Sequence, residues 1–183
     1  MRWEQLFTDL EAQFAAEEAA GERLGEPSRA RAEQGRVRLA DRLRGAVGSP
    51  VSLRCPGVGE LAGRLVDVGV DWVLLAETGD RELLVATRAV AAVAGLTAAT
   101  AAGEESAVDR HLDLRRALRG LARDRAAVQC LLGDGGVLTG TIDRVGADFV
   151  ELAEHPLDSP RRRSAVTGVR AVALPAVVAV RTG

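Results

Sequence analysis

Gly63-Arg-Leu-Val-Asp-Val-Gly-Val-Asp-Trp-Val-Leu-Leu-Ala-Glu77 returns 77 residues later as Gly140-Thr-Ile-Asp-Arg-Val-Gly-Ala-Asp-Phe-Val-Glu-Leu-Ala-Glu154. Eight of the fifteen positions are identical without a gap, and the pair Trp72/Phe149 keeps an aromatic. Working outward, the same offset pairs Val51 with Val128 and Leu61 with Leu138, and Leu43-Arg44-Gly45 recurs as Leu118-Arg119-Gly120. Downstream, Val85, Val90 and Val93 match Val172, Val177 and Val180 after an insertion of ten residues. Self-similarity at a fixed offset marks a repeated structural unit. Inside each copy the apolar residues alternate: Val51, Leu53 and Cys55 stand between Ser52 and Arg54. Period two with Gly and Asp punctuation predicts short strands, and Gly57-Val58-Gly59 and Gly133-Asp134-Gly135-Gly136 predict hairpin turns.

The segments upstream predict helices. Trp3, Leu6, Phe7, Leu10 and Phe14 share one helical face, and Gly25-Glu26-Pro27 ends that run. A second helix is expected from about Ser28 to Val47 and its counterpart before Val128. The predicted class is therefore α+β, mainly β. Residues 1–27 form an amphipathic helix, 28–96 a helix-plus-strands unit, 97–108 a linker, and 109–183 the second unit.

Each unit resembles the Sm-like family (LSm/Hfq-type), whose domain is a helix followed by a five-stranded, strongly bent small barrel. The family's first motif, G-x-h-x-G-x-h-x-x-h-D/G-x-x-h-h-h-L, matches Gly59 through Leu75 and Gly136 through Leu152. Its second motif is hinted at by Val90–Gly95 and by 177–183. The resemblance implies two barrels in tandem, a non-catalytic RNA-binding regulator, and assembly through strand edges into a dimer or ring. Asp71 and Asp148 stand near the position where the family presents an Asn to a base, and a carboxylate there repels phosphate.

Composition narrows the function classes. The chain has 183 residues and a formal net charge of −2, which excludes a polybasic coat for nucleic acid. No apolar run approaches membrane-spanning length, and the N-terminus carries no secretory pattern, so a cytoplasmic location is expected. All 24 basic residues are Arg, with Lys and Asn absent, as a GC-rich bacterial genome would produce. The neutrality conceals blocks: 1–26 is net −5, 27–47 net +4, 48–109 net −5 and 110–183 net +4. Two cysteines, Cys55 and Cys130, are too few for a disulfide framework. His111 and His155 lack partners at metal-ligand spacing and read as surface or loop residues. No nucleophile stands with a recognisable base, so no enzyme, cofactor or metal is expected.

The candidate binding residues are arginines. Arg115, Arg116, Arg119 and Arg123 fall on one stretch of the second unit's helix, with 115, 119 and 123 on one face. Arg38 and Arg42, with Arg36 and Arg44, sit on the matching helix. Arg161, Arg162 and Arg163 occupy the ten-residue insertion. These clusters predict RNA, in preference to DNA, as partner. The alternative is a protein-interaction or oligomerisation scaffold, in which Trp3, Leu6, Phe7, Leu10 and Phe14 bind a second copy or another protein.

Overall fold

The computed structural model describes residues 35–79, 81–101, 112–158 and 161–182. The chain divides into two compact units, Met1–Arg38 and Leu39–Gly183. The stripe of Trp3, Leu6, Phe7, Leu10 and Phe14 and the predicted helix over 1–27 lie outside the described residues, as does His111.

The unit from Leu39 holds two α-helices among its described residues, α1 (Leu39–Arg44) and α2 (Leu114–Asp124). Its ten strands are β1 (Pro50–Cys55), β2 (Gly59–Val68), β3 (Trp72–Ala76), β4 (Glu82–Ala86), β5 (Ala92–Ala94), β6 (Ala127–Leu132), β7 (Val137–Val145), β8 (Phe149–Glu154), β9 (Gly168–Ala173) and β10 (Val177–Thr182). They form one antiparallel sheet in the order β5-β1-β2-β3-β4-β10-β6-β7-β8-β9. This corrects the expectation of two separate Sm-like small barrels in tandem, each a helix plus five strands. β4 pairs with β10 and merges the two sets of strands into one sheet. The helical content is also smaller than expected, since among the described residues the helix predicted over 28–47 is confined to Leu39–Arg44.

The physical reason for a single sheet is visible in β4 and β10. Leu83 and Val85 enter one core, while Leu84 and Ala86 enter the other. On β10, Val177 and Val180 face the second core, while Val178 and Ala179 face the first. Two successive residues share a face because the β10–β6 register shifts between Val177 and Ala179, and such a bulge turns an extra side chain to the same side. Both strands are thus buried on both faces. Each large side chain among them contributes about 1.5–3 kcal/mol by leaving water. Two free-standing barrels would return Trp72, Leu84 and Ala86 of the first half to solvent, together with Leu131, Val178 and Ala179 of the second. A run with no polar alternation is the mark of a strand covered on both faces.

The repeated fifteen residues share one register. Leu65 opposes Leu75 and Val68 opposes Val73; Ile142 opposes Leu152 and Val145 opposes Val150. In both, the register shifts by one at the same place, leaving Val66 and Asp143 as the extra residues. Both turns close alike: Gly69 N–H donates to Trp72 O and Gly146 N–H to Phe149 O, at 2.9 and 2.8 Å. A Cβ at either glycine would collide with the Trp72 or Phe149 ring, which explains why glycine precedes each aromatic by three. Leu43 and Leu118, from the recurring Leu-Arg-Gly triplet, are both fully buried beneath α1 and α2.

Segment 97–101 is attached to α1. Arg42 Nη2 donates to Thr97 O at 2.7 Å and Ala101 N–H donates to Asp41 O at 3.2 Å.

Candidate nucleic-acid interface

Helix α2 starts at Asp113, whose carboxylate accepts from Arg116 N–H at 2.8 Å as an N-cap. It ends at Arg125 in the left-handed conformation, φ 53°. Leu114 and Leu118 pack into the second core, and the helix lies against β7. The opposite face is then necessarily Arg115, Arg116, Arg119 and Arg123, all exposed.

The first half of the chain holds this helix in place. Asp71 Oδ1 accepts from Leu114 N–H at 2.7 Å, and Trp72 Nε1 donates to Leu112 O at 2.7 Å. The Trp72 ring belongs to the second core, not to that of its own half, and is 8% exposed. Asp71 is therefore occupied in capping α2. Its counterpart Asp148 is exposed.

The arginines differ in how fully they are engaged. Arg115 pairs with Asp113 at 3.0 Å and donates to Ala147 O at 3.3 Å. Arg123 pairs with Asp124 at 3.5 Å, with both side chains largely in water. Among the described residues no ion pair engages Arg116 or Arg119. Desolvation raises the Asp113 carboxyl, but the Arg116 N–H it accepts, with Arg115 and Arg119 nearby, outweighs this and holds it below its usual value. Between Asp113 and Asp124 no acidic residue interrupts the face.

The other candidate arginines are not gathered onto this helix. Arg161 is bound to Asp143 of β7 at 2.6 Å, whereas Arg162 and Arg163 are exposed and have no ion pair among the described residues. Arg42 is half-buried and spent on Thr97 O, with its Nε buried and unpaired. Arg44 pairs with Asp41 at 3.1 Å. Arg38 is exposed and belongs to the unit that ends with it.

Several residues important to the site's support carry no local sequence signal. Arg181 makes a two-pronged bond to Glu77, at 2.7 and 2.8 Å, across the β4–β10 joint. Arg88 donates to Leu174 O and to Val177 O. Partners 104 and 86 residues apart cannot be paired by spacing alone. His155 follows the end of β8 as a loop residue but is not at the surface: it is 3% exposed. Its Nδ1 lies 2.8 Å from Pro156 O, so it donates there, and Nε2 accepts from Thr141 Oγ1 at 2.8 Å.

Among the described residues no cluster of His, Cys, Asp or Glu could hold a metal ion. Both cysteines are buried free thiols, and burial pushes Cys130 up to about 11. A thiol so raised is not a nucleophile at neutral pH. Among the described residues no helix is long and apolar enough to cross a membrane. No family model matches the chain, and no curated protein matches it.

Proposed function

We propose that this chain is a non-catalytic, cytoplasmic RNA-binding protein whose contact surface is the outer face of α2. The observation that carries the reading is the uninterrupted row of Arg115, Arg116, Arg119 and Arg123, exposed on a helix whose other face is buried. Arg116 and Arg119 have both guanidiniums available for a ligand. The row spans ~12 Å at helical rise, room for several phosphates along a strand. Guanidinium matches phosphate in a two-pronged geometry that an ammonium cannot copy. The two strand aromatics do not offer a stacking surface: Trp72 is buried and Phe149 half-buried. Recognition is therefore of the backbone, tolerant of sequence. A single strand draped on the helix reaches all four arginines, which favours RNA over duplex DNA.

The test is fluorescence anisotropy with a labelled single-stranded RNA of ~16 nucleotides. Affinity is expected to fall with salt, at a logarithmic slope of about −2 to −3 for three or four neutralised phosphates. Replacing Arg115, Arg119 and Arg123 together by Glu is expected to abolish binding while leaving the chain folded, with a melting temperature lowered only by loss of the exposed Arg115–Asp113 pair. No binding at low salt, or a triple variant that binds like the parent, would overturn the reading. The scaffold alternative would then stand, to be read by light scattering of a chain lacking residues 1–26.

A further inference from the structure

The strand order leaves two edges, and they are unlike. β5 is three residues long, and natural sheets keep edges short to avoid recruiting strands. β9 is six residues long, carries no proline, and has Arg170 as its one charge. Its Val169 is 62% exposed. Leu174 N–H donates to Asp148 O, and the alternation of an antiparallel ladder then turns the amides of Val169, Ala171 and Ala173 away from β8. No strand among the described residues pairs with them.

The chain itself shows what a second copy would need in order to dock there. β4 holds the equivalent place in the first half and is covered by β10. That joint is clamped by Arg181 on Glu77 and by Arg88 on the carbonyls of Leu174 and Val177. At the equivalent positions, 87 residues away, Arg181 corresponds to Ala94 and Arg88 to Pro175. The β5 edge of a second copy would bring neither clamp.

The surroundings of β9 are cationic instead. Arg162 and Arg163 stand exposed in the segment that leads into Gly168, while Arg170, exposed on the strand, is bonded to Glu154 at 2.6 Å. We infer that the free edge of β9 takes an extended acidic peptide from a partner protein, added as an antiparallel eleventh strand. Main-chain bonds to Val169, Ala171 and Ala173 hold it, and alternate side chains give selectivity. The guest's apolar side chains lie beside Val169 and Ala171, and its carboxylates face Arg162 and Arg163 of the loop. This surface uses none of the α2 arginines and goes beyond the RNA reading.

The experiment uses the full chain and two short labelled peptides, one alternating Val and Glu, the other alternating Val and Lys. The Val-Glu peptide is expected to bind and the Val-Lys peptide to bind at least ~10-fold more weakly, since like charges oppose it. Ala171→Pro removes an outward amide without costing a bond to β8, so it is expected to fold and to lose the peptide. Should that variant melt early, the same question is answered by Val-Glu peptides N-methylated at alternate residues in the two registers, of which one is expected to lose binding. Replacing Arg162 and Arg163 by Glu is expected to weaken binding about tenfold. Reversing charge on α2 is expected to leave it unchanged, so failure here and failure of the RNA reading are separable. Equal binding of both peptides overturns the inference, as does an Ala171→Pro chain and N-methylated peptides that bind like their parents. A molecular mass that rises with concentration in the parent but not in Ala171→Pro would give the edge to a second copy and also overturn it.

Discussion

The strands up to β5 and those from β6 onward share a ladder register, a displaced residue and a glycine under an aromatic ring, yet they have been put to different uses. In the first half Trp72 is buried against the second core and donates to Leu112 O, while Asp71 caps Leu114. In the second half the matching Phe149 is half-buried and Asp148 is exposed. The helices diverge in the same sense: α1 has six residues and α2 eleven. The first half thus supplies support at the position where the second half displays a charged surface. A repeated backbone can keep its ladder while one copy's turn becomes the anchor for the other copy's helix.

That contrast can be broken most severely at the aromatic pair. Trp72→Ala is expected to cost about 3–5 kcal/mol, by the cavity it leaves and the bond to Leu112 it removes. Phe149→Ala, at a half-buried ring, is expected to cost about 1–2 kcal/mol. Urea denaturation of both variants checks this, and equal losses would show that the two turns are used alike.

A smaller effect is expected at the paired glutamates. Glu77 and Glu154 are identical residues at the repeat offset, each bonded to an arginine. The Glu77–Arg181 pair is the better shielded, with side chains 14% and 25% exposed, and it crosses the joint between the halves. The Arg170 of the Glu154 pair is 59% exposed. Glu77→Gln is expected to lower stability by about 1–3 kcal/mol, and Glu154→Gln by about 0–1 kcal/mol. Thermal melts at two salt concentrations sharpen the test, because the exposed pair is the one that salt should weaken further.

The smallest effect concerns the cap that starts the longer helix. Asp113→Ala is expected to cost about 0.5–2 kcal/mol. The Asp113 carboxyl titrates below its usual value in the folded chain. Its contribution is therefore present above the ordinary carboxyl value of about 3.9 and is lost as pH falls through the lower folded value. The difference in stability between parent and Asp113→Ala should be constant near neutrality and shrink only in acid. A gap that instead closed as pH rose would contradict the assignment of this residue as the cap.

Much of the local structure was legible in the chain. Alternation of apolar residues located the strands around Val51–Cys55 and the repeated fifteen, because a half-buried strand must alternate. The recurring Leu-Arg-Gly triplet marked a helix before each set of strands, and each helix buries the triplet's leucine. The α2 arginine row was also readable, since helical spacing alone puts 115, 119 and 123 on one face. What spacing could not convey was that Arg161 of the insertion, and Arg42 and Arg44 of α1, would be engaged by their own bonds to Asp143, Thr97 and Asp41, while Arg162 and Arg163 stay exposed.

Local sequence thus carried the repeated strands and their turns but not the extent of the helices, because alternation, turn residues and a glycine beneath an aromatic ring are local requirements. Whether those elements would close as two barrels or join as one sheet was decided by tertiary structure. Leu83-Leu84-Val85-Ala86 and Val177-Val178-Ala179-Val180 are apolar at every position, and such runs do not say what covers their second face. The answer lay in packing: each of the two strands gives side chains to two different cores. Contacts such as Glu77 with Arg181 and Trp72 with Leu112, which span long stretches of chain, exist only once those cores have formed.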